Sequence, residues 1–196
     1  MGEVRRRTAA IVVAGGRGTR MGGIDKPGLE LAGSTLRERA LAAARDARLE
    51  PVVHVGPETD GGPVAALAAG IARLDLAVVY DVVVLAGDLV RPDLVVAALL
   101  ADGLGGPGDD GAASDGSAPD GTVLVDPEGR EQWLAARYRV EALLARLKAL
   151  PDGPRGASLR ALVDGLDLCR ARTDGAVVAD VDSWQDYETA KGQVDD

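Results

Sequence analysis

One cysteine, Cys169, and one histidine, His54, are all that the 196 residues contain of either type. A single thiol excludes an internal disulfide, and one thiol with one imidazole excludes a zinc site built from Cys and His. Long apolar runs are missing as well: none approaches the roughly 20 residues that a membrane-spanning helix needs. A basic surface is also lacking, because the formal charge is -9 at pH 7. That sign argues against nucleic acid or an anionic membrane as a partner. The opening Met1-Gly-Glu-Val-Arg-Arg-Arg meets an apolar strand pattern instead of a signal-peptide core, so a cytoplasmic protein is expected. Lysine is scarce too. Only Lys26, Lys148 and Lys191 stand among 22 basic residues, the rest being arginine.

One of those rare lysines lies in the most informative stretch, Ala9 to Lys26. Ala9–Ala14 is apolar and β-branched enough to form a buried strand, and it runs straight into Gly15, Gly16 and Gly18. Glycines at that density free the backbone to turn its N–H groups toward anionic oxygens, while Arg17, Arg20 and Lys26 supply positive charge against the acidic whole. A compact ammonium suits a phosphate as a point charge. The loop is neither of two common phosphate binders. No Gly-Lys-Ser/Thr succeeds it, which excludes a P-loop, and Met21 occupies the third glycine position of a dinucleotide fingerprint.

With 46% hydrophobic residues the chain can bury a substantial core, and its length fits one domain, 1–196. Strand patterns at 52–55 and 82–86 alternate with helical stretches from Ser34, read as a cap, to before Pro51, from Val64 to Leu74, and from Pro92 to about Leu100. This order predicts an α/β fold: three layers, α/β/α, around a Rossmann-like, mainly parallel sheet. Residues 102–121, rich in Gly, Asp, Ser and Pro, read as a flexible loop. Beyond it the patterns suggest a strand at 122–125, helices at 138–150 and 156–166, a short strand at 177–179 and a last helix from Asp182-Ser183. In such sheets ligands sit at the C-terminal ends of strands. Asp88, directly after a buried strand and behind the glycine loop, falls there too, and is read either as a metal ligand or as the start of the turn before the next helix. Asp180 and Asp182, two apart, fall on one face of the late strand, and Asp182 is read either as a metal ligand or as a helix cap.

The loop resembles the N-terminal signature of the molybdenum cofactor guanylyltransferase family of nucleotidyltransferases. Val13-Ala-Gly-Gly, Arg20-Met-Gly and Lys26 reproduce that signature with one conservative change, and Leu85-Ala-Gly-Asp88 and Gly62-Pro63 match two further segments. The resemblance implies the fold of nucleotide-diphospho-sugar transferases and transfer of GMP from Mg-GTP to the phosphate of molybdopterin, with release of pyrophosphate. It implies Arg20, Lys26 and Asp88 as catalytic residues. Nucleotide binding would fall to Val13, Ala14, Gly15, Gly16, Gly18, Thr19, Lys26, Gly62 and Pro63, and metal binding to Asp88 and Asp182, with Mg²⁺ as the ion. The partners implied are GTP and molybdopterin, and transient contact with the proteins that assemble molybdoenzymes.

Gln132-Trp133-Leu134 and Tyr138-Arg139 resemble the strand and helix on the acceptor side of the family's cleft. His54 lies near a family position that contacts guanine, and is read here as a satisfied core imidazole. Two departures bear on the detail: Trp184 replaces a family proline, and the segment before Gly62 is short, leaving Asp60 as the substitute for an acidic base contact. Alternatives are a cytidylyltransferase on the same cofactor, a sugar-1-phosphate nucleotidyltransferase, which also matches Gly15 to Arg20, and a non-catalytic nucleotide-binding module.

Overall fold

The computed structural model describes residues 7–14, 24–101 and 118–194. Eight strands and six α-helices alternate along them. The first strand, β1 (Arg7–Val13), is followed by a 3₁₀ turn at Lys26–Gly28 and the small β2 (Glu30–Leu31) and β3 (Ser34–Thr35) hairpin. Then come α1 (Leu36–Asp46), β4 (Val52–Val55), α2 (Pro63–Ile71), β5 (Val79–Ala86) and α3 (Pro92–Leu100). The second half holds β6 (Gly121–Val125), β7 (Glu131–Arg139), α4 (Val140–Ala149), α5 (Leu159–Val163), β8 (Leu168–Arg172) and α6 (Trp184–Val194).

Six strands form the main sheet in the order β4-β1-β5-β7-β6-β8. Pairing is parallel except on either side of β7, which runs antiparallel to β5 and β6. The strands that read as unbroken apolar runs are buried on both faces, as a sheet covered by two helical layers requires. Their period of two divides the core. Ala9, Ile11 and Val13 of β1 with Val82 and Val84 of β5 meet α2, α4 and α5, whereas Ala10, Val12, Val83 and Leu85 meet α1 and α3. A third cluster, Leu31, Leu36, Val90, Val181 and Ala190, fastens the β2–β3 hairpin and α6 to the C-terminal edge of the sheet. Gly70 sets the closeness of α2: a Cβ there would lie 2.8 Å from Ile11 Cγ2.

Several local expectations are corrected. Thr35, one residue beyond Ser34, caps α1 in a reciprocal box: Glu38 N–H donates to Thr35 Oγ1 at 3.1 Å and Thr35 N–H donates to Glu38 Oε2 at 2.8 Å. Replacing Thr35 by Ala is expected to lower stability by about 1 kcal/mol in urea unfolding, with activity unchanged. The helix ends at Asp46, well before Pro51, because Arg48 adopts a φ of 58°. Tyr138 belongs to β7 and not to a helix. Its ring is buried, its hydroxyl donates to the Trp133 carbonyl at 2.9 Å, and α4 starts only at Val140. Residues 177–179 form no strand; a lone bridge joins Leu89 to Asp180, and the eighth strand is Leu168–Arg172, parallel to β6.

Candidate functional site

The C-terminal ends of β1, β4 and β5 lie level, since Val13 pairs with both Val55 and Ala86. The residues that leave each of these strands are therefore delivered to one edge of the sheet. Val13 and Ala14 finish β1 with buried side chains, and their backbone is committed to the sheet: Val13 C=O accepts from Gly87 N–H at 2.9 Å, and Ala14 N–H donates to Val55 C=O at 2.9 Å. Gly15, Gly16, Gly18, Thr19 and Arg20 lie outside the described residues. Gly87 is the hinge of this edge. A Cβ on it would stand 2.7 Å from Ala14 Cβ and 2.8 Å from Ala14 Cα, so only glycine allows β5 to end beside the start of the glycine loop. Asp88 comes immediately after it.

Lys26 returns the chain to the same edge. Its side chain is 12% exposed, and Nζ donates to Asp182 Oδ1 at 2.6 Å. Asp182 reaches that point because Val90 and Val181 anchor the two segments in the third core cluster, and Val181 N–H donates to Asp88 C=O at 3.2 Å. The cap of α6 belongs to its neighbours. Ser183 Oγ accepts from Asp186 N–H at 3.2 Å, while Asp186 Oδ2 accepts from Ser183 N–H at 2.7 Å. Of the two roles open to Asp182 in the sequence, the cap is thus filled by Ser183 and Asp186, and its carboxylate engages the lysine.

Four charges meet here. Burial, then Asp180, pushes the Asp88 carboxyl up to about 6, with Lys26 opposing and Asp182 adding to the rise. Asp180 is raised by desolvation and then by Asp182, again opposed by Lys26. Carboxylates that resist ionisation together lack sufficient positive charge nearby. A divalent cation would supply it. Among the described residues no three His, Cys, Asp or Glu side chains form a group able to hold a metal ion on their own. Magnesium is usually bound by one or two carboxylates completed by substrate phosphates and water. Asp88 and Asp182 fit such a shared site.

The remaining candidates are more spread out. Gly62, with φ 88°, and Pro63 open α2 at the C-terminal side of β4. Asp60, just before them, pairs with Arg155 at 3.2 Å, both side chains largely exposed. His54 is not satisfied: its buried Nε2 has no hydrogen-bond partner, and burial first, then Arg37, lowers its pKa. Trp133 lies on β7, its Nε1 donating to Glu131 Oε2 at 2.8 Å. One residue of this edge does not stand out in the sequence. Asp126 directly follows β6, is 3% exposed, and accepts from Arg130 Nε at 2.9 Å and Gln132 Nε2 at 3.0 Å. Its only sequence signal is an acid at the end of an apolar strand before a Pro-Glu-Gly turn.

A model of the MobA-like NTP transferase domain matches residues 10–60, the segment that carries β1, the glycine loop and Lys26. Over that segment the chain is similar to MobA-like NTP transferases. No curated protein matches its sequence. Solved structures extend the likeness over the whole chain. Rv0371c from Mycobacterium tuberculosis H37Rv superposes with a TM-score of 0.66 at 20% identity, covering 97% of this chain and 100% of that one. A complex of Rv0371c with manganese superposes at 0.61 and 18% identity, over 96% and 99% of the two chains.

Molybdopterin-guanine dinucleotide biosynthesis protein A from Archaeoglobus fulgidus gives a TM-score of 0.59 at 17% identity, over 94% and 97% of the two chains. The 4-diphosphocytidyl-2C-methyl-D-erythritol synthase from Anaerococcus prevotii gives 0.63 at 11%, over 97% and 99%. At these identities the shared property is the fold, an α/β nucleotide-diphospho-sugar transferase arrangement. Among the described residues, no helix is long and apolar enough to cross a membrane.

Proposed function

We propose that this nucleotidyltransferase moves GMP from GTP to the phosphate of molybdopterin, forming molybdopterin guanine dinucleotide and pyrophosphate. The observation that carries the reading is the meeting of Lys26, Asp88 and Asp182 on the sheet edge where the glycine loop begins. An ammonium beside two carboxylates, behind a glycine-rich turn, is equipped to hold a nucleoside triphosphate together with its divalent cation. The family match at residues 10–60 and the fold shared with the Archaeoglobus protein support the same assignment.

Little acid–base chemistry is required. The acceptor phosphate is already ionised at neutral pH, so an acceptor oxygen can attack the α-phosphorus while pyrophosphate leaves, without a general base. Catalysis then rests on alignment and on neutralising charge. Lys26, with Arg20, would stabilise negative charge on the phosphoryl oxygens. The amides of Gly15, Gly16 and Gly18 would cradle the phosphates. Asp88 and Asp182 would hold Mg²⁺, which when bound supplies positive charge to the triphosphate. Asp182 would also keep the Lys26 ammonium oriented. Gly62, Pro63 and Asp60, at the mouth of β4, would border the base. The protein would act in the cytoplasm and release its product to molybdoenzyme assembly proteins.

The shared fold of a cytidylyl-class synthase, at a TM-score of 0.63, gives CTP a place as second donor to test. The resemblance of Ala14-Gly-Gly to the guanylyltransferase signature favours guanine. Calorimetric titration with GTP, CTP and UTP in magnesium is expected to show GTP bound at least about tenfold more tightly than CTP, roughly 1.4 kcal/mol. Equal or reversed affinities would remove the guanylyl assignment.

A further inference from the structure

A cavity of about 160 Å³ opens at the edge of the sheet opposite the charged cluster, its walls including Tyr80 and Asp81 of β5, Pro119, Thr122 of β6, and Arg137 and Arg139 of β7. The length of β5 separates the two places. From Asp81 to Ala86, where the strand reaches the edge that carries Asp88, five residues at about 3.3 Å each span about 17 Å. β7 runs the other way. Its Ala135 pairs with Leu85 near Asp88, whereas its last residue, Arg139, pairs with Asp81. Arg139 therefore lies away from the cleft that its resemblance in sequence implies.

The polar groups of this cavity share one face of the sheet. Arg137 pairs with Val83 on one side and Thr122 on the other, and Asp81 points the same way as Val83, two residues on. The Asp81 carboxylate accepts from Arg137 Nε at 3.1 Å and from Arg137 Nη2, which leaves Nη1 without an acceptor among the described residues. Arg139 is engaged less. Its guanidinium lies over the Tyr80 ring, 5.5 Å from the centroid, and among the described residues it meets no carboxylate and donates no hydrogen bond. Thr122 is 4% exposed, and its hydroxyl makes no hydrogen bond among the described residues either.

Sheltered donors without acceptors are costly, and three sets of them line one space. Two guanidiniums against one carboxylate also reverse the sign of a chain whose formal charge is -9. A planar carboxylate would satisfy one fork. Donors from two guanidiniums and a hydroxyl match instead an anion with three or more acceptor oxygens around one centre, which is a phosphoryl group.

We propose that this cavity is a phosphoryl-binding site, held by Arg139, Arg137 Nη1 and Thr122 and separate from the site of the triphosphate. Free phosphate and the phosphate of a small ester present the same oxygens. The assignment stands apart from the nucleotide and the acceptor that the opposite edge takes.

The test is an NMR titration of the ¹⁵N-labelled full chain at constant ionic strength, with inorganic phosphate and ribose 5-phosphate as probes. At least one probe should saturably move the Arg139 Nε–H signal and the amides of Gly121 and Thr122, and the one that does so identifies free phosphate or an ester. Binding at the opposite edge is read separately, from the amides of Val13, Ala14 and Gly87. Arg139→Gln should weaken binding at the cavity amides by at least about tenfold, as loss of hydrogen bonds from a charged group does. The response at the opposite edge should not change.

Thr122→Val should weaken cavity binding by about threefold to tenfold, the effect of one neutral hydrogen bond. It should melt no earlier than the wild type, because the hydroxyl it removes has no partner among the described residues. That variant decides should Arg139→Gln unfold. Shifts absent from the cavity signals, or cavity binding of wild-type strength in either variant, would overturn the proposal.

Discussion

Asp88→Asn is expected to abolish most of the activity and yet to make the protein more stable at neutral pH. The carboxyl, ordinarily at 3.8, is raised to about 6 in the fold, chiefly by burial and by Asp180. Between those values the native state holds a proton that the unfolded chain has released, so stability falls as pH rises through that window. Above it the ionised group costs the fold about 2 to 3 kcal/mol, from two units at roughly 1.4 kcal/mol each. An amide removes that charge. Urea unfolding in a chelating buffer should therefore show Asp88→Asn more stable than the wild type by about 1 to 2 kcal/mol at pH 7.5, and no more stable near pH 3.5.

Turnover of the same variant should fall by roughly two to three orders of magnitude, the usual cost of removing one preorganised charge from a polar transition state. The two effects have one origin. A group kept at a stability cost where charge repels it is a group kept for what it binds. An Asp88→Asn variant that lost stability at pH 7.5, or that turned over at the wild-type rate, would remove Asp88 from the proposed metal site.

Lys26→Ala should be as damaging, through the opposite charge. This ammonium opposes the carboxylate repulsion felt by both Asp88 and Asp180, and it reaches Asp182 at 2.6 Å. Its loss would leave three mutually repelling acids facing an incoming triphosphate. Turnover at saturating GTP is expected to fall roughly two to three orders of magnitude. Lys26→Arg should recover only part of it, because a planar fork on a longer reach cannot replace a point charge in a nearly buried position. Near-wild-type turnover in the alanine variant would sink the role given to Lys26.

How much of the fold is legible in the sequence depends on the range of the interaction. The apolar runs of β1 and β5 announce strands buried on both faces, and Pro92 marks the start of α3 as placed. The late strand β8 stays hidden because Leu-Cys-Arg-Ala-Arg is half exposed, with Arg170 and Arg172 facing out, and resembles a loop more than a core strand. Tyr138 reads as helical because apolar residues succeed it at helical spacing, whereas its pairing with Val82 and Gly121 is a long-range fact. Thr35 for Ser34 is a shift of one residue, decided by whether Glu38 can reach back.

The site divides in the same way. Lys26 and Asp88 stand out locally, one as a rare lysine in a glycine loop and one at the end of a buried strand. That Asp182 holds Lys26 across 156 positions has no local sign, since only the packing of Val181 against Leu31, Leu36 and Val90 brings them together. Asp126 is hidden for a related reason: nothing in its neighbours shows that it is buried until β6 is paired.

Tracing the phosphorus atoms of GTP tests the proposed transfer most directly. With magnesium and molybdopterin present, GTP labelled at the α-phosphate should deliver its label to the acceptor, and GTP labelled at the γ-phosphate should deliver it to pyrophosphate. Release of γ-label as orthophosphate, or its appearance on the acceptor, would mean hydrolysis or phosphoryl transfer and would contradict the assignment.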